Sequence, residues 1–570
     1  MCSIAGGNIS RTRASRISGK MRHRGPDHSG IFEDSLVTLS HNRLSIIDTS
    51  SKGNQPMEFE DLIIIFNGEI YNYKELRREL QNAGFAFCSK SDTEVLLKCY
   101  SKYGSECVKR FNGDFAFCIY DKRKRELFLA RDRVGNKPLY FYHGNGEFIF
   151  ASELRAFEGL ISLSFNERIL GDAILFGLND YGDHTIYDRI RNLQPAHFMR
   201  YDLARNELEI KRYWKLEEFE NKEKWNENGF RKKIDEFENL LNDSVKIRLI
   251  ADVPVGTLLS GGIDSSLIAF FIKENHHGDH PYFTSSFPKF PDIDETYYAE
   301  LLSKSWDLKL IKVFPTEKKL KSEFDNLVTS QFDIFRSLSV MSQYLTMKAV
   351  KEHVKVILSG QGADELFGGY YHYMARYLGK NPHAFKDRLN LIGRRAFEEL
   401  KQGIKLTQTT WKKKYLLEND NFDNLKAVLD YLPQYKPNWD LLLEKFTGNL
   451  SKALRFDIER LNLPQLLRYE DRNAMAFSIE NRTPFTDYRV IEFANSIPLE
   501  YKFKNGVGKY FLREFSKRIL PKEIFNRIDK KGFEAPEKQW MRILKIDETG
   551  NLVKFRLALF EKLAKIVSKT

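Results

Sequence analysis

A polar stretch, Glu217 to Asn228, separates two different hydrophobic rhythms in this chain, and that change constrains the fold more than any other feature. Before it, short apolar runs are broken by Gly, Asn and Asp. Leu62-Ile63-Ile64-Ile65-Phe66, Phe115 to Tyr120, Leu127 to Ala130 and Phe148 to Ala151 read as strands. Two helical patterns, Tyr73 to Ala83 and Thr93 to Tyr103, interrupt them, so a layered sheet-and-helix unit is expected rather than a barrel. After it, a helical period from Phe230 to Leu249 leads into a buried strand, Val253 to Leu259. Further strands at Phe283 to Phe287, Leu308 to Phe314 and Lys355 to Leu358 alternate with helices, which predicts a parallel sheet. From Tyr370 the pattern is mostly helical. It ends in a basic amphipathic segment carrying Val553, Phe555, Leu557, Phe560 and Leu563, expected to dock on its own domain. A chain of 570 residues exceeds what one core organises, so an α/β two-domain protein is predicted. Its parts are residues 2–210, a linker at 211–229, and a second domain at 230–570.

Composition narrows the classes. With 42% hydrophobic and 29% charged residues, the chain is neither collagen-like nor disordered nor a disulfide scaffold. No apolar stretch approaches a membrane span and no leader pattern opens the chain, so a cytoplasmic protein with no membrane partner is expected. A net charge of +12 favours anionic partners. The basic residues are interleaved with acids, however, as in Lys122-Arg123-Lys124-Arg125-Glu126, and no RNP, zinc-finger or KH pattern occurs. Small anionic substrates, and no nucleic acid, are the expectation. The five cysteines, 2, 88, 99, 107 and 118, form no CxxC pair. Four of them read as ordinary buried or half-buried thiols.

Cys2 differs. Initiator Met is removed before a small residue, which would leave a thiol and a free α-amine on one residue. An α-amine titrates near ~7.7–8.0 and can relay the thiol proton without a histidine. The same domain holds Arg22-His23-Arg24-Gly25-Pro26-Asp27, His41 to Asp48, Phe66-Asn67-Gly68-Glu69-Ile70-Tyr71-Asn72 and Ser91-Asp92-Thr93-Glu94, each placing polar groups at the edge of an apolar segment. Asn-Gly is also a common hairpin turn, and Arg43 could be a surface ion pair.

Together these segments resemble the glutaminase domain of class II (N-terminal nucleophile) glutamine amidotransferases, across essentially all of residues 2 to 200. The resemblance implies an αββα-layer fold in which Cys2 attacks the glutamine amide. Asn67 and the Gly68 backbone would form the oxyanion hole, and Arg43, Ile46, Ile47, Glu69 and Asp92 would hold glutamine.

In the second domain, Val253 to Leu259 runs into Ser260-Gly261-Gly262-Ile263-Asp264-Ser265-Ser266, and Leu267 to Ile272 continues as an apolar helix. Glycines let backbone amides approach an anion, Ser265 and Ser266 can cap the helix, and the helix N-terminus adds partial positive charge. Phosphate is the natural ligand. The Lys of the G-x-x-x-x-G-K-[ST] pattern is absent, so γ-phosphoryl transfer is not expected. A second strand end carries Ser359-Gly360-Gln361-Gly362-Ala363-Asp364-Glu365. Asp264 and Asp364 would converge on the same phosphates, which calls for a bridging Mg²⁺.

These strings, with Leu467 to Glu480, Arg482-Thr483-Pro484-Phe485 and Lys530-Lys531-Gly532-Phe533, resemble glutamine-hydrolysing asparagine synthetases of the B type. The resemblance implies a doubly wound synthetase domain of the adenine nucleotide α-hydrolase kind with a helical extension. There ATP adenylates a carboxylate, ammonia arrives by an internal tunnel, and AMP and pyrophosphate leave. Leu258, Ser359 and Gly360 would meet adenine, and Ser260, Gly261, Gly262, Asp264, Ser265 and Ser266 the pyrophosphate. Lys530 would steady the adenylation step, and Arg336 and Gln361 would bind the acceptor. Gln361 departs from the family Glu and, being neutral, cannot act as a general base. Aspartate is the expected acceptor. A uronic acid or similar carboxylate, or a non-enzymatic binding role, is the alternative, and a homodimer is left open.

Overall fold

The run Leu62 to Phe66 is apolar at every position because both of its faces are covered. In the computed structural model, which describes residues 2–217, 225–276, 278–381, 383–392, 394–398, 400–401, 419–441, 449–528 and 534–568, it belongs to a strand that extends to Ile70. Twelve strands of the N-terminal part are β1 (Ser3–Gly7), β2 (His28–Glu33), β3 (Thr38–Arg43), β4 (Met57–Phe59), β5 (Leu62–Ile70), β6 (Gly113–Asp121), β7 (Glu126–Arg131), β8 (Tyr140–Gly144), β9 (Glu147–Ala151), β10 (Ile190–Asn192), β11 (His197–Asp202) and β12 (Glu207–Arg212). They form two six-stranded sheets, ordered β10-β8-β9-β1-β3-β2 and β12-β11-β7-β6-β5-β4. Ile63 and Ile65 point between the sheets, against Ile4, Leu39, Phe148 and Phe150. Leu62, Ile64 and Phe66 point outward, under Leu76, Leu80, Val95 and Leu96 of the helices Tyr73–Asn82 and Asp92–Tyr103. Ala14 and Ile17 of the helix Arg11–Lys20 cover Ala5 and Ile149 on the other side. The result is the expected αββα stack. β1 is an interior strand, paired with β3 and β9, so Ser3 to Gly7 are held inside the protein.

The second sheet system has five parallel strands in the order β15-β14-β13-β16-β17. These are β13 (Val255–Leu258), β14 (Pro281–Ser285), β15 (Lys309–Val313), β16 (Val356–Leu358) and β17 (Glu480–Arg482). The order reverses between β13 and β16, so the two loops leaving them open a crevice at a topological switch point. Four of these strands lie where the apolar runs predict them. The fifth, β17, does not announce itself, because all three of its residues are polar although all are buried.

The two parts share a buried interface. The helix Asn462–Met475 is buried from Leu467 to Met475 and presents Asp471 to Arg24 of the N-terminal part. Lys137 Nζ reaches the Asn481 carbonyl at 3.4 Å, and Asn112 Nδ2 donates to Asp487 at 3.0 Å. The C-terminal helix, Leu552–Val567, docks on the helix Glu317–Gln331 of the second part, and also on Glu167–Phe176 from the first. Its covering is therefore wider than its own domain. Among the described residues no helix is long and apolar enough to cross a membrane. Cys99, Cys107 and Cys118 are buried free thiols, whereas Cys88 is exposed rather than half-buried.

Candidate active sites

Cys2 lies just ahead of β1, 8% exposed, and its N–H donates to Asn67 Oδ1 at 3.0 Å. That bond fixes the Asn67 amide so that Nδ2 is the remaining donor, and Nδ2 is buried without a partner. A buried donor left unpaired costs about 1–3 kcal/mol, so it marks a place where a ligand oxygen belongs. Burial pushes the Cys2 thiol above its ordinary range, opposed by the chain-terminal charge, the Leu44 N–H and Arg43.

Cys2, Arg43, Ile46, Ile47, Gly68, Glu69 and Asp92 line one small cavity. Gly68 has φ +146, and a Cβ there would meet the Asp114 carbonyl at 2.0 Å, so the strand can pass this close to its neighbour only as glycine. Arg43 ends β3 with its guanidinium bonded to the 47–54 loop: Nη1 donates to Ser50 O at 2.7 Å and Asn54 Oδ1 at 2.8 Å, and Nη2 to the Ile47 and Asp48 carbonyls. The Ile46 carbonyl accepts the Asp252 N–H at 2.9 Å. Both isoleucine carbonyls are thus engaged within the protein. Glu69 Oε1 lies 3.6 Å from Arg482 Nη2, and its buried Oε2 has no hydrogen-bond partner. Burial, with Glu480 and Asp92 nearby, raises the Glu69 pKa well above the ordinary carboxylate range. Asp92 opens its helix and accepts the Ile70 N–H at 2.9 Å, and burial lifts its pKa to about 6. Two buried carboxylates facing one cavity suit a ligand cation.

Arg24, in the Arg22-to-Asp27 segment, has a role that the sequence does not announce. Fully buried, it donates from Nε to the Cys2 carbonyl at 3.0 Å, from Nη1 to Glu153 at 2.9 Å, and from both Nη atoms to Asp471 at 2.8 and 3.0 Å. A guanidinium from the first part thereby ties the candidate nucleophile to a helix of the second. Its lone signal in the sequence is a basic triplet before Gly-Pro.

The second site is a cavity of about 590 Å³ at the β13/β16 switch point. Leu258, Ser260, Asp264, Ser265, Ser359, Gly360, Gln361 and Asp364 line it, and so does Arg336. Gly261 and Gly262 complete the turn, and Gly261 has φ +74. A Cβ on Gly360 would sit 2.9 Å from the Ser265 nitrogen, so the two loops touch. The helix Ile263–Asn275 is capped by Gly262, which offers no side-chain acceptor. The expectation that Ser265 and Ser266 cap it needs correction, since their hydroxyls donate back to the Gly262 carbonyl at 3.2 and 2.7 Å. The first-turn amides therefore have no capping side chain, and an anion can take them.

Asp264 and Asp364 do converge, but on a lysine. Lys509 Nζ lies 2.7 and 2.6 Å from the Asp264 oxygens and 2.5 Å from Asp364 Oδ1, and burial lowers its pKa. It was not anticipated, being distant in sequence from both loops. Among the described residues no group of three or more His, Cys, Asp or Glu is arranged around a metal position. Arg336 donates to Asn462 Oδ1 at 3.1 Å and Gln465 Oε1 at 3.0 Å. Its carbonyl accepts from Arg556 Nε of the C-terminal helix at 3.0 Å. Lys530 lies outside the described residues.

Comparison with known proteins agrees with both halves. Residues 1–214 match the family described as "Glutamine amidotransferase domain", and residues 236–550 match "Asparagine synthase". A protein of Bacillus subtilis named asparagine synthetase [glutamine-hydrolyzing] 1 is 33% identical over 548 residues, covering 91% of this chain and 83% of its own. Another of that organism, asparagine synthetase [glutamine-hydrolyzing] 3, is 31% identical, covering 90% and 82%. A Penicillium rubens protein named amidase chyE is 30% identical, covering 91% and 84%.

Proposed function

The chain belongs to the asparagine synthase family and is a glutamine-dependent amidotransferase, and on that premise we propose that it converts aspartate to asparagine, releasing AMP and pyrophosphate. The coupling of two sites is supported by Arg24, which bonds the Cys2 carbonyl and Asp471 at once, and the aspartate acceptor by the names of the relatives. After loss of Met1, the Cys2 α-amine takes the thiol proton and the thiolate attacks the glutamine amide carbon. Asn67 Nδ2 and the Gly68 amide receive the oxyanion. Glu69 and Asp92 hold the substrate ammonium, while Arg43 meets its carboxylate. Ammonia passes inside the protein to the second cavity.

There the uncapped amides after Gly262, with the Ser260 and Ser265 hydroxyls, cradle the pyrophosphate of ATP, and Leu258, Ser359 and Gly360 border the adenine. Asp264 and Asp364, two carboxylates on facing loops that pair with Lys509, would hold a Mg²⁺ ion, and such an ion would neutralise charge on the leaving pyrophosphate. Lys509 stands ready to do the same from the protein side, Lys530 serves the adenylation step, and Arg336 holds the acceptor carboxylate.

A second reading keeps the chemistry and changes the acceptor to a uronic acid or similar carboxylate. The neutral Gln361 on the cavity wall favours it. Offering the purified protein a panel of carboxylates with ATP, Mg²⁺ and glutamine separates the two. Pyrophosphate release dependent on aspartate supports the first, release with another acid alone supports the second, and no release with any acid contradicts both.

A further inference from the structure

Gln361 leaves the synthetase cavity without the expected base, and Glu365 does not replace it. Glu365 lies outside the cavity lining: its Oε1 is held by Tyr370 OH at 2.8 Å and Asn462 Nδ2 at 2.6 Å, and its Oε2 is buried without a hydrogen-bond partner. Glu470 has a different position. It is 4% exposed, borders the cavity with Ser359 and Gln361, and sits on the helix Asn462–Met475, whose next residue holds Arg24. Its carboxylate accepts from Gln343 Nε2 at 3.1 Å, Ser359 Oγ at 3.2 Å and Asn481 Nδ2 at 2.5 Å.

All three donors are neutral. They fix the direction of the carboxylate without a countercharge that would lock it in the ionised form. Among the described residues no lysine, arginine or histidine forms an ion pair with it. The charges around it are otherwise committed. Lys137 is near enough to pull its proton affinity down, but donates to the Asn481 carbonyl. Glu480 and Arg482, flanking Asn481, pair with each other at 2.5 Å. On its own helix Asp471 faces Arg24, and Arg472 faces Glu153. Burial prevails over these influences and lifts the Glu470 pKa to about 7, where a carboxylate can both take and release a proton.

We propose that Glu470 is the proton acceptor of amide formation. The inference rests on the acyl-adenylate reading above. The ammonia lone pair attacks the acyl carbon and a C–N bond forms. The C–O bond to the AMP phosphate breaks, and AMP leaves with that electron pair. One N–H proton passes to a Glu470 oxygen, leaving a neutral amide, and the protonated carboxyl later gives the proton to water.

The test is E470Q, with E470D beside it, assayed for glutaminase activity, acceptor-dependent ATP–pyrophosphate exchange and amide synthesis. E470Q should keep glutaminase and exchange within about twofold while synthesis falls about 10²-fold, the lower range for a lost general base. Synthesis by the natural chain should decline as pH falls through about 7, because the base becomes protonated. That decline should vanish in E470Q and return in E470D. Intact synthesis in E470Q, or a surviving decline, would overturn the proposal. Equal loss of glutaminase, exchange and synthesis in both variants would also overturn it, by making Glu470 structural. If the natural chain shows no exchange with any carboxylate, the adenylation reading fails first and this inference with it.

Discussion

Asp92 offers the sharpest test at the scale of one residue. Burial raises its carboxyl to about 6, and the proposed contact with a substrate ammonium needs the ionised form. Glutaminase kcat/KM should therefore fall as pH drops through about 6, since that ratio reports the free protein. Asp92→Asn should flatten the profile and raise KM for glutamine about tenfold to a hundredfold, the equivalent of about 1.5–3 kcal/mol for a hydrogen bond to a charge. Synthesis from ammonium salts should not change. A pH-independent ratio in the natural chain would contradict this role for Asp92. Gln361 poses the acceptor question in the same way. With aspartate as substrate, Gln361→Glu should leave aspartate-dependent pyrophosphate release similar or faster. A bulkier or more anionic acceptor would meet a new buried charge and be turned over more slowly. Negligible aspartate-dependent release from the natural protein, with no gain in the variant, rejects aspartate.

At the scale of elements, the helix Asn462–Met475 connects the two chemistries. Asp471→Asn lies in the synthetase part, yet it removes one of the two countercharges, beside Glu153, of a buried guanidinium that holds the Cys2 carbonyl. It should lower glutaminase kcat by at least tenfold while ammonium-dependent synthesis stays within a few-fold. Equal loss of both would mean that the helix acts only through folding. Elements of this kind explain what could be read from the sequence. β5 is legible because two covered faces demand an unbroken apolar run. The glycine turns after β13 and β16 are legible because backbone approach to an anion needs them. β17 is not, since Glu480 pairs with Arg482 and Asn481 with Glu470, and such pairing exists only once the fold has brought them together. Arg24 and Lys509 escaped for the same reason: Asp471 and Asp264, which they pair with, are hundreds of residues away in sequence.

Across the whole molecule, a buried polar interface joins the two parts, and under the proposed function ammonia is what their sites exchange. Asp264→Ala should remove pyrophosphate release and leave glutaminase activity measurable, whereas a collapse of both would show that the sites are not separable. The central claim is that nitrogen freed at Cys2 ends in an ATP-made amide. Its most direct measurement follows the label from amide-¹⁵N glutamine, with ATP, Mg²⁺ and aspartate, in the natural chain and in Cys2→Ala. The natural chain should yield ¹⁵N-asparagine with equal AMP and pyrophosphate. Cys2→Ala should yield no labelled product, and unlabelled asparagine once ammonium is added. Undiminished ¹⁵N transfer by Cys2→Ala, or ADP and phosphate in place of AMP and pyrophosphate, would contradict it.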